Sequence, residues 1–229
     1  MSAIYLLRHG QASFGADDYD QLSPLGVEQA RLLGAALSNY GLKTPLFVSG
    51  GMLRHRDTLE ECVAALGTAD TFAIDDAWNE FDHEAIIRAA YPEYGDTAAL
   101  LAALAMRPHP KPAFQHIFET AMVRWTHGEH DRDYAETWVQ FHQRVAQALS
   151  TLAKQLPSDR DAVVSTSGGV IAAIVQQLLH MPVPQGVALN WTLVNAGFTR
   201  LLLTKSGLRL CSLNVHTHLQ GHAHLVTYR

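Results

Sequence analysis

Short apolar runs that alternate with segments of helical period are what most constrain the fold of this chain. Ala3–Leu7 reads as a buried strand, and Leu46–Ser49, Phe72–Ile74 and Asp161–Thr166 as further strands, each too short for a helix. Between the first two, Ser23-Pro24 supplies an N-cap and a proline at the first helical position. Val27, Ala30, Leu33 and Leu37 follow at helical spacing, with Gly41 as a natural C-cap. A second helix runs from about Met52 to Leu66. A long one runs from about Ala135 to Leu156, with Phe141, Val145, Leu149, Leu152 and Leu156 on one face, and another covers Val170–Leu179. Near the end, Phe198–Thr204 and Leu208–Leu213 flank Lys205-Ser206-Gly207, which reads as a hairpin turn. Strands alternating with helices predict a three-layer α/β/α sandwich around a mainly parallel central sheet.

Between Trp78 and Tyr134 the strand signal stops. Helical patches at Glu84–Ala90, Thr97–Met106 and Phe114–Trp125 are separated by Pro108, Pro110 and Pro112. This reads as a helical insertion over approximately 78–134, placed over the active site, within one domain spanning 1–229. With 229 residues, 48% of them hydrophobic, such a domain can bury a sizeable core without disulfide staples. Cys62 and Cys211 both sit in apolar runs and read as buried thiols of a reducing compartment. The first charge is Arg8 and no segment is long and apolar enough to span a bilayer, so a soluble cytoplasmic protein is expected. The formal charge of −5, with no basic run or interleaved aromatic platform, argues against nucleic acid as a partner. Oligomeric state leaves no trace in the sequence.

In open parallel sheets, ligands bind beyond the carboxyl ends of the strands. His9 and Ser167 both follow a predicted strand, which puts them on one side of the molecule. Arg8-His9-Gly10 provides, in three consecutive residues, a cation, a nucleophile and close backbone approach. A neutral imidazole can attack phosphorus, and a guanidinium can spread its charge over the equatorial oxygens. Taken alone, the triplet fits a surface or core histidine equally well.

The wider pattern is more specific. Leu6-Leu7-Arg8-His9-Gly10-Gln11-Ala12, followed by Leu22-Ser23-Pro24-Leu25-Gly26 and Gln29-Ala30, resembles the opening of the histidine phosphatase superfamily, the phosphoglycerate-mutase-like enzymes. The resemblance is close over the first ~60 residues and looser around Ser167. It implies a transient phosphohistidine on His9. It also implies a second phosphate-holding arginine in a helix start of pattern Ser-Pro-x-x-Arg-x-x-x-Thr. Gly50-Gly51-Met52-Leu53-Arg54-His55-Arg56-Asp57-Thr58 matches this at Arg54 and Thr58, with two glycines replacing Ser-Pro, and Arg56 is the bystander. A helix N-terminus and a guanidinium together make a good phosphate clamp. The family's acid/base glutamate corresponds to Glu80 in Trp78-Asn79-Glu80-Phe81, where flanking aromatics would desolvate a general acid. Asp82 and Glu84 compete for the assignment.

One departure stands out. The family's second histidine lies in a Ser-His-Gly-Gly turn, whereas this chain reads Thr166-Ser167-Gly168-Gly169. The hydroxyl of Ser167 and the backbone N–H groups at Gly168 can still bind phosphate, without charge. Loss of one charge-assisted hydrogen bond costs about 1.5–3 kcal/mol, about ten- to a hundredfold in rate. His218 is a candidate to fold back as a replacement.

Rival chemistries are weaker. Ser165-Thr166-Ser167-Gly168-Gly169 is a degenerate nucleophile elbow, but no Asp or Glu follows Asp161, so the acid of an α/β-hydrolase triad has no candidate. His216-x-His218 and His222-x-His224 would be two-histidine pinches on a strand, yet no cysteine or carboxylate lies nearby in the chain, and no metal is expected. His127-Gly128-Glu129-His130 has the wrong spacing for a zinc protease helix. The expected function is therefore hydrolysis of a small phosphorylated substrate through phospho-His9, without a cofactor. Arg8, Arg54, Ser167 and Gly168 would bind the phosphoryl group, and Glu80 would serve as acid/base. A phosphoglycerate-type mutase and a non-catalytic phospholigand-binding protein are the alternatives. Arg88, Arg107, Lys111, His116 and Arg124 in the insertion are candidates for anionic parts of the substrate.

Overall fold

A computed structural model describes residues 2–13, 20–68 and 71–228, the side chains of Thr97 and Lys111 excepted. The chain forms two compact units, Met1–Glu80 with Val145–Arg229, and Phe81–Arg144.

The first unit is built on a six-stranded sheet of order β3-β2-β4-β1-β5-β6, with β1 at Ser2–Arg8, β2 at Leu46–Ser49, β3 at Ala73–Ile74, β4 at Ala162–Thr166, β5 at Phe198–Thr204 and β6 at Gly207–Val215. The first four strands in that order are parallel to their neighbours, and β5 and β6 join antiparallel at the β1 side. The mainly parallel sheet is thus as expected, and so is the hairpin, which turns through Gly207 at φ 106°. Strand periodicity sets the layers. Ala3, Tyr5 and Leu7 of β1 point into a core with Phe47, Val163 and Phe198, closed by Leu33 and Leu37 of α1 (Pro24–Leu37) and by Leu59, Cys62 and Val63 of α2 (Leu53–Leu66). Ile4 and Leu6, on the opposite face, are also fully buried, and β1 contacts α7 (Gly168–Leu179). The result is an α/β sandwich.

Local chemistry explains the element starts. Ser23 Oγ accepts from the Gly26 N–H at 3.0 Å and Pro24 opens α1. The long helix α6 begins at Trp138, three residues later than Ala135. Thr137 and Gln140 form a reciprocal capping box there: Thr137 N–H donates to Gln140 Oε1 at 2.9 Å, and Gln140 N–H to Thr137 Oγ1 at 3.2 Å.

The second unit contains α3 (His83–Ala90), α4 (Thr97–Ala105), α5 (Pro110–His127) and the start of α6 (Trp138–Gln155). Its centre is aromatic, with Phe81 and Trp125 ring centroids 5.1 Å apart and Phe81 and Phe141 5.4 Å apart. Pro110 and Pro112 fall in the first turn of α5, which proline tolerates, so α5 starts there and not at Phe114. Asp82 caps α3 by accepting from Ala85 N–H, and Glu84 pairs with Arg88 at 3.8 Å.

Two expectations need correction. Cys211 is exposed, and only Cys62 is buried. The apolar run around Cys211 belongs to β6, an edge strand whose residues alternate between partial and full exposure, so one face of it meets water. The tail histidines lie beyond that strand. His218 falls in a 3₁₀ turn at Thr217–Leu219 and His224 in another at Ala223–Leu225, so neither pair lies on a strand, although the His222 and His224 rings meet edge to face with centroids 6.1 Å apart. No helix among the described residues is long and apolar enough to cross a membrane.

Candidate active site

β1 and β4 run parallel with Arg8 opposite Thr166, so the residues that follow each strand leave the sheet together. His9 N–H donates to the Thr166 carbonyl at 2.9 Å. His9 is 7% exposed, and its Nδ1 lies 2.7 Å from the Gly10 carbonyl. A carbonyl only accepts, so Nδ1 carries the proton and Nε2 presents a lone pair. Burial, then the charges of Arg54 and Arg8, then His55 hold this imidazole well below the ordinary 6.5, against a small opposing effect of the Gly10 bond. The ring is therefore neutral at neutral pH, with Nε2 as its lone-pair nitrogen.

The two sequence motifs that flank His9 touch directly. A β-carbon at Gly10 would come within 2.5 Å of the Gly26 carbonyl oxygen, so the Arg-His-Gly glycine lets the chain lie against the start of α1. The Gly10 N–H donates to Thr58 Oγ1 at 2.9 Å, and that hydroxyl donates to the Arg54 carbonyl at 2.6 Å. Thr58, one α2 turn beyond Arg54, thus ties the loop carrying His9 to the helix bearing Arg54. Gln29 joins a third segment: its Oε1 accepts from Gln11 N–H, and its Nε2 donates to the Leu225 carbonyl and Thr227 Oγ1.

Arg8 is buried and donates to the carbonyls of Leu193 and, at 2.9 Å, Tyr228. Backbone from the chain's end therefore fixes its guanidinium. Arg54 is 6% exposed, and its Nη1 donates to Asp20 Oδ1 at 2.6 Å. The other Asp20 oxygen accepts from Leu53 N–H at 2.7 Å, at the first turn of α2. A carboxylate thus sits on the helix N-terminus and guanidinium that would suit a phosphate. Arg56 is exposed.

Glu80 Oε2 accepts from Gly169 N–H at 2.9 Å, which joins the predicted acid/base to the Ser167-Gly168-Gly169 turn. The same turn lies beside Arg8, since a β-carbon at Gly168 would be 3.4 Å from Arg8 Nε. Thr166 Oγ1 donates to the Trp78 carbonyl, tethering the Glu80 segment to β4. Ser167 is fully buried, and its Oγ is 2.6 Å from His55 Nε2. The His9 and His55 ring centroids are 5.7 Å apart. His218 is turned to the Ala196 carbonyl, 3.0 Å from its Nε2.

His9, Arg8, Arg54, Glu80, Ser167 and Gly168 therefore all belong to one unit, linked by this network. Sequence reasoning missed Asp20 and His55. Asp20 follows residues 14–19, which lie outside the described residues, and no spacing rule marks it. His55 adjoins Arg54 on a helix and read as part of that motif, yet it is fully buried. Of the insertion candidates, Arg124 is engaged by Asp133 and by Tyr134 Oη, Arg88 by Glu84, and Arg107 Nη2 lies 3.4 Å from Tyr94 Oη. His116 is exposed, and the Lys111 side chain lies outside the described residues. Among the described residues no three His, Cys, Asp or Glu side chains converge on a metal position.

A mainly parallel α/β sandwich with buried His9 and Arg8 at the end of β1 and Arg54 in the first turn of α2 is an arrangement that would suit a phosphoryl group. The sequence profile of the histidine phosphatase superfamily (branch 1) matches residues 4–112 and 106–216, and the chain belongs to that superfamily. It is 34% identical over 88 residues to a 2,3-bisphosphoglycerate-dependent phosphoglycerate mutase of Rhizobium etli (strain CIAT 652), and 35% to that of Sinorhizobium fredii (strain NBRC 101917 / NGR234). Each match covers 35% of this chain and 41% of the mutase. Among solved structures, a phosphoserine phosphatase mutant from Entamoeba histolytica in complex with phosphoserine superposes with a TM-score of 0.68 at 18% identity, covering 96% of this chain and 100% of that one. A phosphoglycerate mutase from Bacillus anthracis str. Sterne gives 0.65 at 14%, covering 95% of each chain. At these identities the structures speak for the fold.

Proposed function

We propose that this protein is a phosphomonoesterase that works through a phosphohistidine on His9. The observation that carries the reading is the His9 Nδ1 contact with the Gly10 carbonyl at 2.7 Å, which leaves Nε2 as a buried lone pair on a neutral ring. In the first step Nε2 attacks phosphorus, the P–O bond to the leaving alcohol breaks, and Glu80 protonates that oxygen. In the second, Glu80 takes a proton from water, whose oxygen attacks phospho-His9 and releases phosphate and free His9. Arg54 and Arg8 stabilise charge on the equatorial oxygens, with Ser167 Oγ and the backbone at Gly168 as neutral donors. The substrate class is a small phosphate monoester, in line with fold neighbours such as the phosphoserine-bound phosphatase.

Phosphoglycerate mutation is the second reading, favoured by the two mutases that match the chain in sequence. The test is turnover of para-nitrophenyl phosphate between about pH 5 and 8, with His9→Ala as control, alongside isomerisation of phosphoglycerate primed with the bisphosphate. Hydrolysis lost in His9→Ala supports the esterase, and isomerisation faster than hydrolysis supports the mutase. Turnover that survives His9→Ala sinks both.

A further inference from the structure

His55 is a buried imidazole with no part in the reaction above, and two features of its surroundings are unusual. Ser167 is the N-cap of α7, yet its hydroxyl accepts no N–H of that helix. An N-cap serine ordinarily accepts from the second or third helical N–H. Here the N–H of Gly169, the second helical residue, goes to Glu80 instead, and the serine hydroxyl meets His55 Nε2 at 2.6 Å. Gly50 is the second feature. A β-carbon there would fall 2.3 Å from His55 Nδ1, so the ring is accommodated only because position 50 has no side chain. Serine in place of histidine at 167, and glycine in place of serine at 50, therefore meet at one imidazole.

The hydrogen-bond pattern fixes the direction of the contact. His55 Nδ1 is buried with no partner among the described residues. A buried unpaired N–H is rarer and more costly than an unpaired acceptor, so Nδ1 is the lone-pair nitrogen and Nε2 carries the proton. His55 Nε2–H then donates to Ser167 Oγ, and the hydroxyl hydrogen is turned away from the ring. Burial and the Arg54 charge hold His55 well below the ordinary 6.5, which keeps the ring neutral.

We propose that His55 and Ser167 act as a pair in which His55 orients the Ser167 hydroxyl to donate to a phosphoryl oxygen held at His9. His55 is a positioning residue, and Ser167 is the group that touches the oxyanion. The pair supplies from α2 and the β4–α7 turn together an oxyanion donor that a single histidine in the turn would have supplied alone. The proposal rests on the phosphoryl site described above, though not on hydrolysis taking place there.

Orthovanadate affinity tests the pair without requiring turnover. The proposal expects Ser167→Ala and His55→Leu each to weaken orthovanadate by about tenfold, the double variant no further, and His55→Gln, whose Nε2 replaces the donor, to recover to within about threefold of wild type. Thermal unfolding of each variant shows whether the losses follow folding. Should His55→Leu not fold, His55→Asn, whose amide is one bond too short to reach Ser167, takes its place with the same expected loss. Wild-type affinity in the variant lacking the donor, losses that multiply in the double variant, or a wild type that binds no orthovanadate each overturn the pair. Tight, His55-dependent orthovanadate binding without any turnover would instead overturn the phosphomonoesterase reading and leave the pair standing.

Discussion

The imidazole of His55 occupies the space that a β-carbon at position 50 would require, with Nδ1 2.3 Å from where that carbon would lie. Gly50 N–H also donates to the Ser165 carbonyl at 3.0 Å, so the backbone there cannot retreat from the ring without breaking a contact to β4. Gly50→Ala should destabilise the fold by about 1–3 kcal/mol through overpacking. Adding His55→Ala removes the opposing atoms, so the double variant should be more stable than the sum of the two single changes. Urea unfolding of the four proteins measures this, and strict additivity would show that the ring and position 50 do not compete.

Glu80 should matter in proportion to how much the leaving group needs a proton. Glu80→Gln should lower kcat for an alkyl phosphate such as phosphoserine by about 10²–10⁴-fold, and for para-nitrophenyl phosphate by much less. Steady-state kinetics with the two substrates checks this. Equal losses would indicate that the Glu80–Gly169 contact is structural only.

Asp20 places a carboxylate on Arg54 Nη1 and on the Leu53 N–H, both of which would serve an incoming phosphate. Its side chain is 35% exposed against 8% for Arg54, so the ion pair is partly screened. Asp20→Asn should tighten inorganic phosphate binding by about 1 kcal/mol, roughly fivefold. Calorimetric titration measures it. Weaker binding in Asp20→Asn would mean that Asp20 positions Arg54 for the phosphate and does not compete for it.

Buried histidines should make the fold acid-sensitive. Burial is the main cause that lowers His9 and His55 well below 6.5, and His142 and His218 to about 4. As pH falls below about 6.5, the unfolded chain takes up protons that the folded one refuses. Stability is therefore full above that pH and declines below it until the folded imidazoles protonate. The slope is at most about 1.4 kcal/mol per pH unit for each of the two buried rings, His9 and His55. Melting temperatures from pH 7 down to about 5 should fall, and His218→Gln should make the decline shallower. A flat profile would contradict the buried neutral state.

The fold was legible because strands β1, β2 and β4 are short apolar runs and because α1 carries its own cap and proline. The carboxyl-end rule placed His9 and Ser167 on one side of the molecule. Edge structure was harder to read: the apolar run around Cys211 looked buried because composition does not say which face of an edge strand meets water. The start of α6 is set at Trp138 by the Thr137–Gln140 capping box, a local signal that apolar periodicity alone does not show. His55 stayed hidden for a different reason. Its neighbour Arg54 matched a motif, while the partners that give His55 meaning, Ser167 and Gly50, come from other segments and meet it only in three dimensions.

The central claim is a phosphoryl group carried on His9 Nε2. Rapid acid-free quenching of the enzyme mixed with a phosphate monoester, followed by peptide mass spectrometry, tests it most directly. One added phosphoryl group is expected on the peptide that contains His9, acid-labile, formed within a single turnover and absent from His9→Ala. Turnover with no phosphoenzyme, or with the phosphoryl group on Ser167, would contradict it.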